Sequence, residues 1–154
     1  MPGYYIIFER PHVQEFLDYL FSHHNVAVWT AASRDYAYFV IKAALLDGHP
    51  ERELDFVLHG DHTKMSRKLT GKPKALSLLW GRLPGYEKSN TVLIDDNNEV
   101  FRRQKRNVIP VPAFIAQDKG SEKDNYLTLL RDTLDPEVED EAEASRMIPR
   151  QKKQ

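Results

Sequence analysis

Val26-Ala27-Val28-Trp29 is an unbroken run of four apolar residues, with no polar position to face water. A strand with one wet face alternates, so a continuous run of this length predicts a strand covered on both faces, as in a parallel sheet layered by helices. Val92-Leu93-Ile94, behind Thr91, repeats the pattern. Around these runs the apolar spacing becomes helical. Val13, Phe16, Leu17, Leu20 and Phe21 form one stripe behind Pro11, which suits a first helical turn. Ser33 is placed to cap a second helix, with Tyr36, Phe39, Val40, Ala43 and Ala44 as its buried side and Gly48 as its stop. Pro73 predicts the opening of a third, with Leu76, Leu79, Trp80 and Leu83 on one face. A closing helix carries Tyr126, Leu127, Leu129, Leu130 and Leu134 after Asp124.

The remaining segments are shorter signals. Tyr4–Phe8 ("YYIIF") reads as a strand ended by Glu9-Arg10-Pro11. Asn107–Phe114 reads as an edge strand, because its two prolines cannot donate ladder hydrogen bonds. Residues 49–71 read as polar and irregular around "DFVLHG", with one strand or a small insertion. Strand alternating with helix predicts the α/β class, with right-handed crossovers and a mostly parallel sheet between helices. One domain is expected over residues 1–135, followed at 136–154 by a disordered charged tail with almost nothing to bury.

The 154 residues suffice for one core, and the net charge of −1 favours neither nucleic acid nor an anionic membrane as direct partner. The absence of cysteine excludes disulfides, zinc–thiolate sites and thiol catalysis. No apolar run reaches the roughly 18–20 residues of a membrane span, and "MPGYYIIFERP" carries no signal-peptide pattern. A cytoplasmic or nuclear protein is expected.

In α/β sheets, sites form at the C-terminal ends of strands. Ile94 is followed there by Asp95 and Asp96, two carboxylates that repel unless each has a partner. One can coordinate a hard cation while the other takes a lysine or a hydrogen bond; alternatively one caps the following turn and the other is solvated. Thr30 closes the Val26–Trp29 run before the small residues Ala31, Ala32 and Ser33, where a hydroxyl and free N–H groups can hold a phosphoryl oxygen. Lys72 and Lys74 flank Pro73 at the expected helix start, an unfavourable place for a cation unless an anion is near. Hydroxyl, lysine and paired acids on successive elements describe a phosphate site. His59 and His62 have H-x-x-H spacing with no third ligand in view, so loop histidines are expected. "FRRQKR" (101–106) is expected to be a solvated face, and Trp29 and Trp80 to be core.

The residues resemble a known family. "YYIIFERPHVQEFLDYLFSHHNVAVWTAAS" is similar to the R-P-H-V-x-E-F-L segment and T-A-S strand end of the RNA polymerase II C-terminal-domain phosphatases (FCP/SCP, NLI-interacting-factor type). "KPKALSLLWGRLPGYEKSNTVLIDDNNEVF" resembles their ubiquitin-like-domain-containing branch, and "NVIPVPAF" with Asp124 and a leucine-rich helix resembles the family's ending. The resemblance runs from Tyr4 to Leu134. It implies the haloacid dehalogenase superfamily, with a Rossmannoid three-layer sandwich and magnesium-dependent removal of phosphate from phosphoserine or phosphothreonine in proteins, notably the polymerase's C-terminal repeat. By the same resemblance, Thr30 binds the phosphoryl group and Lys74 neutralises it. Asp96 is the magnesium ligand, and Asp95 is the acid beside it, paired with Lys74.

One family element has no counterpart. The D-x-D-x-T or D-x-D-x-V strand, which supplies the nucleophilic aspartate and the general acid, occurs nowhere in residues 1–154. The resemblance places that strand at the centre of the sheet, so the expected fold lacks its first central strand and exposes apolar edges. Three readings follow: a fragment or mis-started version of an active protein phosphatase; an inactive relative that binds phosphopeptides or a partner; or a phosphoacceptor signalling domain. In that last class the acids come before the lysine, the reverse of the order here.

Overall fold

The structure, a computed structural model, describes residues 6–135, which fall into two compact units. The smaller combines the described parts of Met1–His23 and Ala116–Gln154. Its helix α1 (Val13–His23) buries Phe16, Leu17 and Tyr19, and α5 (Tyr126–Leu134) buries Leu127 and Leu130. Tyr19 donates its hydroxyl to the Leu134 carbonyl at 2.8 Å. Arg10 grips Asp124 through Nε and Nη2, each at 2.8 Å. Residues 6–10 form no strand, against expectation, and Ile6 and Phe8 are exposed. A strand needs a neighbour's ladder, and none meets them among the described residues. The charged tail expected at 136–154 lies outside the described residues.

The larger unit, His24–Ile115, carries four short strands. β1 (Val26–Trp29) pairs in parallel with β2 (Leu54–Leu58), and β3 (Leu93–Asp95) with β4 (Val108–Pro110). The α/β class and the parallel pairing are as expected, but the sheet is two separate pairs. β4 ends at Pro110, which is where the missing N–H predicts an edge. Thr30 N–H donates to Leu58 O, so Ala27 and Trp29 turn their backbone groups away from β2. Leu93 N–H donates to Asn107 O and Val111 N–H to Asp95 O, so Val92 and Ile94 turn away from β4. Residues of both open edges, among them Ala27, Val28, Trp29, Val92 and Leu93, line a single groove. Beneath it Trp29, Leu76 and Leu79 form the core, with Phe56, Leu58, Trp80, Leu83, Tyr86 and Leu93 packed against them.

Three expectations about helices change. After β1, α2 (Arg34–Val40) widens into a π-helix over Ile41–Leu46; its buried positions are Ala37 and Ile41, whereas Tyr36 and Phe39 are exposed. The apolar stripe is thus offset by one residue, with a methyl side chain facing inward at Ala37. Ser33 occupies the N-cap position without a capping side-chain bond. Residues 60–70, expected to be irregular, form α3 (Gly60–Thr70), closed by left-handed Gly71. No helix starts at Pro73. A turn there leads to one 3-10 turn, Leu76–Leu78, before left-handed Gly81. Among the described residues no helix is long and apolar enough to cross a membrane.

Candidate functional site

Thr30 follows β1 directly. Its carbonyl accepts from Thr63 Oγ1 at 3.0 Å, and its own Oγ1 accepts from Ala32 N–H at 3.1 Å. That bond occupies a lone pair and leaves the hydroxyl proton free to be donated. The turn is pinned from the other side by α3, whose first residue donates from Gly60 N–H to Ala32 O at 2.7 Å. The approach demands glycine. A Cβ at position 60 would lie 2.8 Å from both Ala31 O and Ala32 O.

Asp95 ends β3 with its side chain only 4% exposed. Its Oδ2 is 2.6 Å from Lys74 Nζ, and its Oδ1 accepts from Asn97 N–H at 2.8 Å. Both oxygens are therefore engaged. Lys74, 13% exposed, uses one of its three N–H donors on Asp95 and retains two. Asp96 points to solvent, with no hydrogen bond or ion pair to the described residues. The helix that follows, α4 (Asn98–Arg103), is capped by Asn97, whose side chain accepts from Glu99 N–H at 2.8 Å.

The structure joins Lys74 to Asp95 and sets Asp96 beside them in the chain; Thr30 bonds within its own turn and toward α3. Magnesium sites use one or two carboxylates together with waters and substrate phosphate. Asp96 offers one. Asp95 is committed to Lys74, and among the described residues neither acid belongs to a group of three ligand side chains. The residues present thus supply one arm of such a site and not a whole one.

Lys74 does not sit at a helix N-terminus, so its cost there does not arise; the anion it was expected to need is Asp95. Two residues without a sequence signal shape its loop. Ser66 Oγ donates to Lys72 O at 2.8 Å and accepts from Ala75 N–H at 2.9 Å. Gln104 donates through Nε2 to Lys74 O at 2.7 Å and accepts at Oε1 from Leu76 N–H at 2.9 Å. Neither residue belongs to a motif, and only the tertiary fold brings them to the loop. Arg67 and Glu99 tie α3 to α4 by two bonds of 2.9 and 3.0 Å, which hold the Glu99 carboxyl below its usual range and push the Arg67 guanidinium up. His59 and His62 act at the start of α3: His59 N–H donates to His62 Nδ1 at 3.1 Å, and the rings meet edge to face. Trp29 is core, and Arg102, Arg103, Lys105 and Arg106 of the basic segment are exposed.

The sequence pattern of the NLI interacting factor-like phosphatases matches residues 2–145. The chain is 41% identical over 139 residues to the CTD phosphatase-like protein 355R of Invertebrate iridescent virus 6, covering 87% of this chain and 76% of that protein. The protein of the same name in Invertebrate iridescent virus 3 is 39% identical over 140 residues, covering 88% and 75%. The human ubiquitin-like domain-containing CTD phosphatase 1 is 24% identical over 131 residues, covering 81% of this chain and 41% of its own length.

Proposed function

The chain belongs to the NLI interacting factor-like phosphatase family, and from that premise we propose that it is a phosphoprotein-recognition domain of the CTD-phosphatase type. In this reading Lys74 and the Thr30 hydroxyl receive the oxygens of a phosphoserine or phosphothreonine. Asp95 holds the Lys74 ammonium toward them, and Asp96 offers its carboxylate to a magnesium ion carried with the phosphate. The observation that supports the reading best is the 2.6 Å Lys74–Asp95 pair at the end of β3, because it leaves two ammonium protons for an incoming anion.

Residues 1–154 on their own are proposed to bind phosphate without hydrolysing it. Covalent transfer needs a nucleophilic carboxylate facing the phosphorus. Asp95 is held by Lys74 and the Asn97 N–H, Asp96 is assigned to the cation, and the D-x-D-x-T stretch is absent from these residues. The open edges of β1 and β3 fit a sheet that lacks its central strand. The second reading, an active phosphatase of which these residues form a part, rests on the same groove: a strand laid there would supply the missing acids. Hydrolysis of p-nitrophenyl phosphate with magnesium separates the two for this polypeptide. No turnover is expected, and turnover abolished by Asp96→Asn would overturn the inactive reading.

A further inference from the structure

The loop from Lys72 to Ala75 lies in no helix or strand, and with Leu76, the first residue of the 3-10 turn, it is buried at Pro73, Ala75 and Leu76. Buried backbone groups must find partners elsewhere. Ala75 O and Leu76 O accept from backbone N–H groups of the 3-10 turn and the residues after it, and side chains bind five of the others. Lys72 N–H donates to Thr70 Oγ1 at 3.1 Å; Lys72 O and Ala75 N–H are bound by Ser66; Lys74 O and Leu76 N–H are bound by Gln104. Ser66 is wholly buried on α3, and Gln104 is the residue on which α4 ends.

Gln104 has a second connection to the same ion pair. The stretch from Asp95 to Gln104 is one turn plus α4, and Asp95 Oδ1 is held at the start of that stretch by Asn97 N–H. A single short segment therefore fixes the carboxylate at one end and the lysine's peptide unit at the other. Only one orientation of the Gln104 amide makes both of its bonds, and that orientation brackets Lys74 on its C-terminal side.

We propose that Gln104 is a positioning residue for Lys74: it couples α4 to the lysine loop, so that the ammonium stays on Asp95 and faces an incoming phosphate. This inference rests on the phosphate-site reading for its purpose, though not for its geometry. Gln104→Ala removes both bonds; Gln104→Glu keeps the acceptor for Leu76 N–H and loses the donor to Lys74 O.

The test is labelling of each lysine by an N-hydroxysuccinimide ester, read by peptide mass spectrometry well below the melting temperature of each variant. Gln104→Ala should raise Lys74 labelling about threefold or more, the factor expected for the loss of an ordinary hydrogen bond. Gln104→Glu should give a smaller rise, and lysines distant from the loop should be unchanged. Unaltered Lys74 labelling, or an equal rise at all lysines, would overturn the proposal. A parallel titration with inorganic phosphate should show Gln104→Ala weakening binding only where Lys74 is present, with no further loss in Lys74→Met. Should Lys74→Met bind phosphate as well as the parent, the phosphate reading fails, and the labelling still decides the positioning role.

Discussion

Lys74 Nζ and Asp95 Oδ2 lie 2.6 Å apart, and their side chains are 13% and 4% exposed. Water screens such a pair little, and each charge depends on the other. Lys74→Met should cost about 3–5 kcal/mol in urea denaturation, since it leaves a buried carboxylate without its cation. Lys74→Met with Asp95→Leu should recover much of that loss, because two apolar groups leave no charge behind. A double variant as unstable as the single one would show that the pair matters through packing and not charge.

Gly60 tests the turn that carries Thr30. Gly60→Ala places a methyl group 2.8 Å from two backbone oxygens, so α3 must retreat from Ala31 and Ala32. Overpacking of this kind costs about 1–3 kcal/mol. The midpoint of thermal unfolding should fall, whereas Gly48→Ala, with open space around it, should suffer only from its positive φ of 81°.

Arg10 and Asp124 supply a pH dependence in the smaller unit. The guanidinium's hydrogen bonds hold the Asp124 carboxyl below its ordinary value near 3.8. A depressed folded-state pKa contributes stability that is complete above the unfolded value and lost as pH falls through the folded one. Parent and Asp124→Asn should therefore differ most in stability above about pH 5 and converge as the pH drops below 3.8. A difference that grows toward acid would reverse the sign of this account.

The groove between the open edges of β1 and β3 should accept a strand. A soluble peptide of five alternating Val and Ile residues, flanked by lysines, offers partners for the backbone groups that Ala27, Trp29, Val92 and Ile94 turn away from β2 and β4. With Trp80→Phe, Trp29 becomes the sole tryptophan and reports from the groove wall. A saturable change in its fluorescence is expected. The same response to a peptide with proline at the central position would rule out ladder pairing.

Part of the fold is legible in the sequence alone. The unbroken Val26–Trp29 run predicts β1, although Val26, Ala27 and Val28 are half-buried and only Trp29 is buried, so the strand is less covered than expected; the helical spacing of Val13 to Phe21 predicts α1. α3 was not legible: Gly60–Thr70 is polar, and its evidence lies in end signals, Asp61 in the first turn, Arg67 and Lys68 in the last, and Gly71 beyond. The helix expected at Pro73 failed for the opposite reason. Leu76, Leu79, Trp80 and Leu83 have helical spacing, yet side chains from α3 and Gln104 capture the backbone at Lys72–Leu76 before a helix can. At the site, the residues alone left Lys72 or Lys74 and Asp95 or Asp96 open and the family resemblance singled out Lys74 with Asp95, but the loop's true supports, Ser66 and Gln104, carry no local signature.

The central claim is that Lys74 and Thr30 receive a phosphoryl group. A calorimetric titration with one serine peptide, phosphorylated and not, tests it most directly when run on the parent, Thr30→Val and Lys74→Met, each confirmed folded at the titration temperature. The phosphorylated peptide alone should bind, with affinity falling about tenfold or more in Lys74→Met, as loss of a charge-assisted bond predicts, and less in Thr30→Val. Equal binding of both peptides, or an affinity untouched by Lys74→Met, would contradict it.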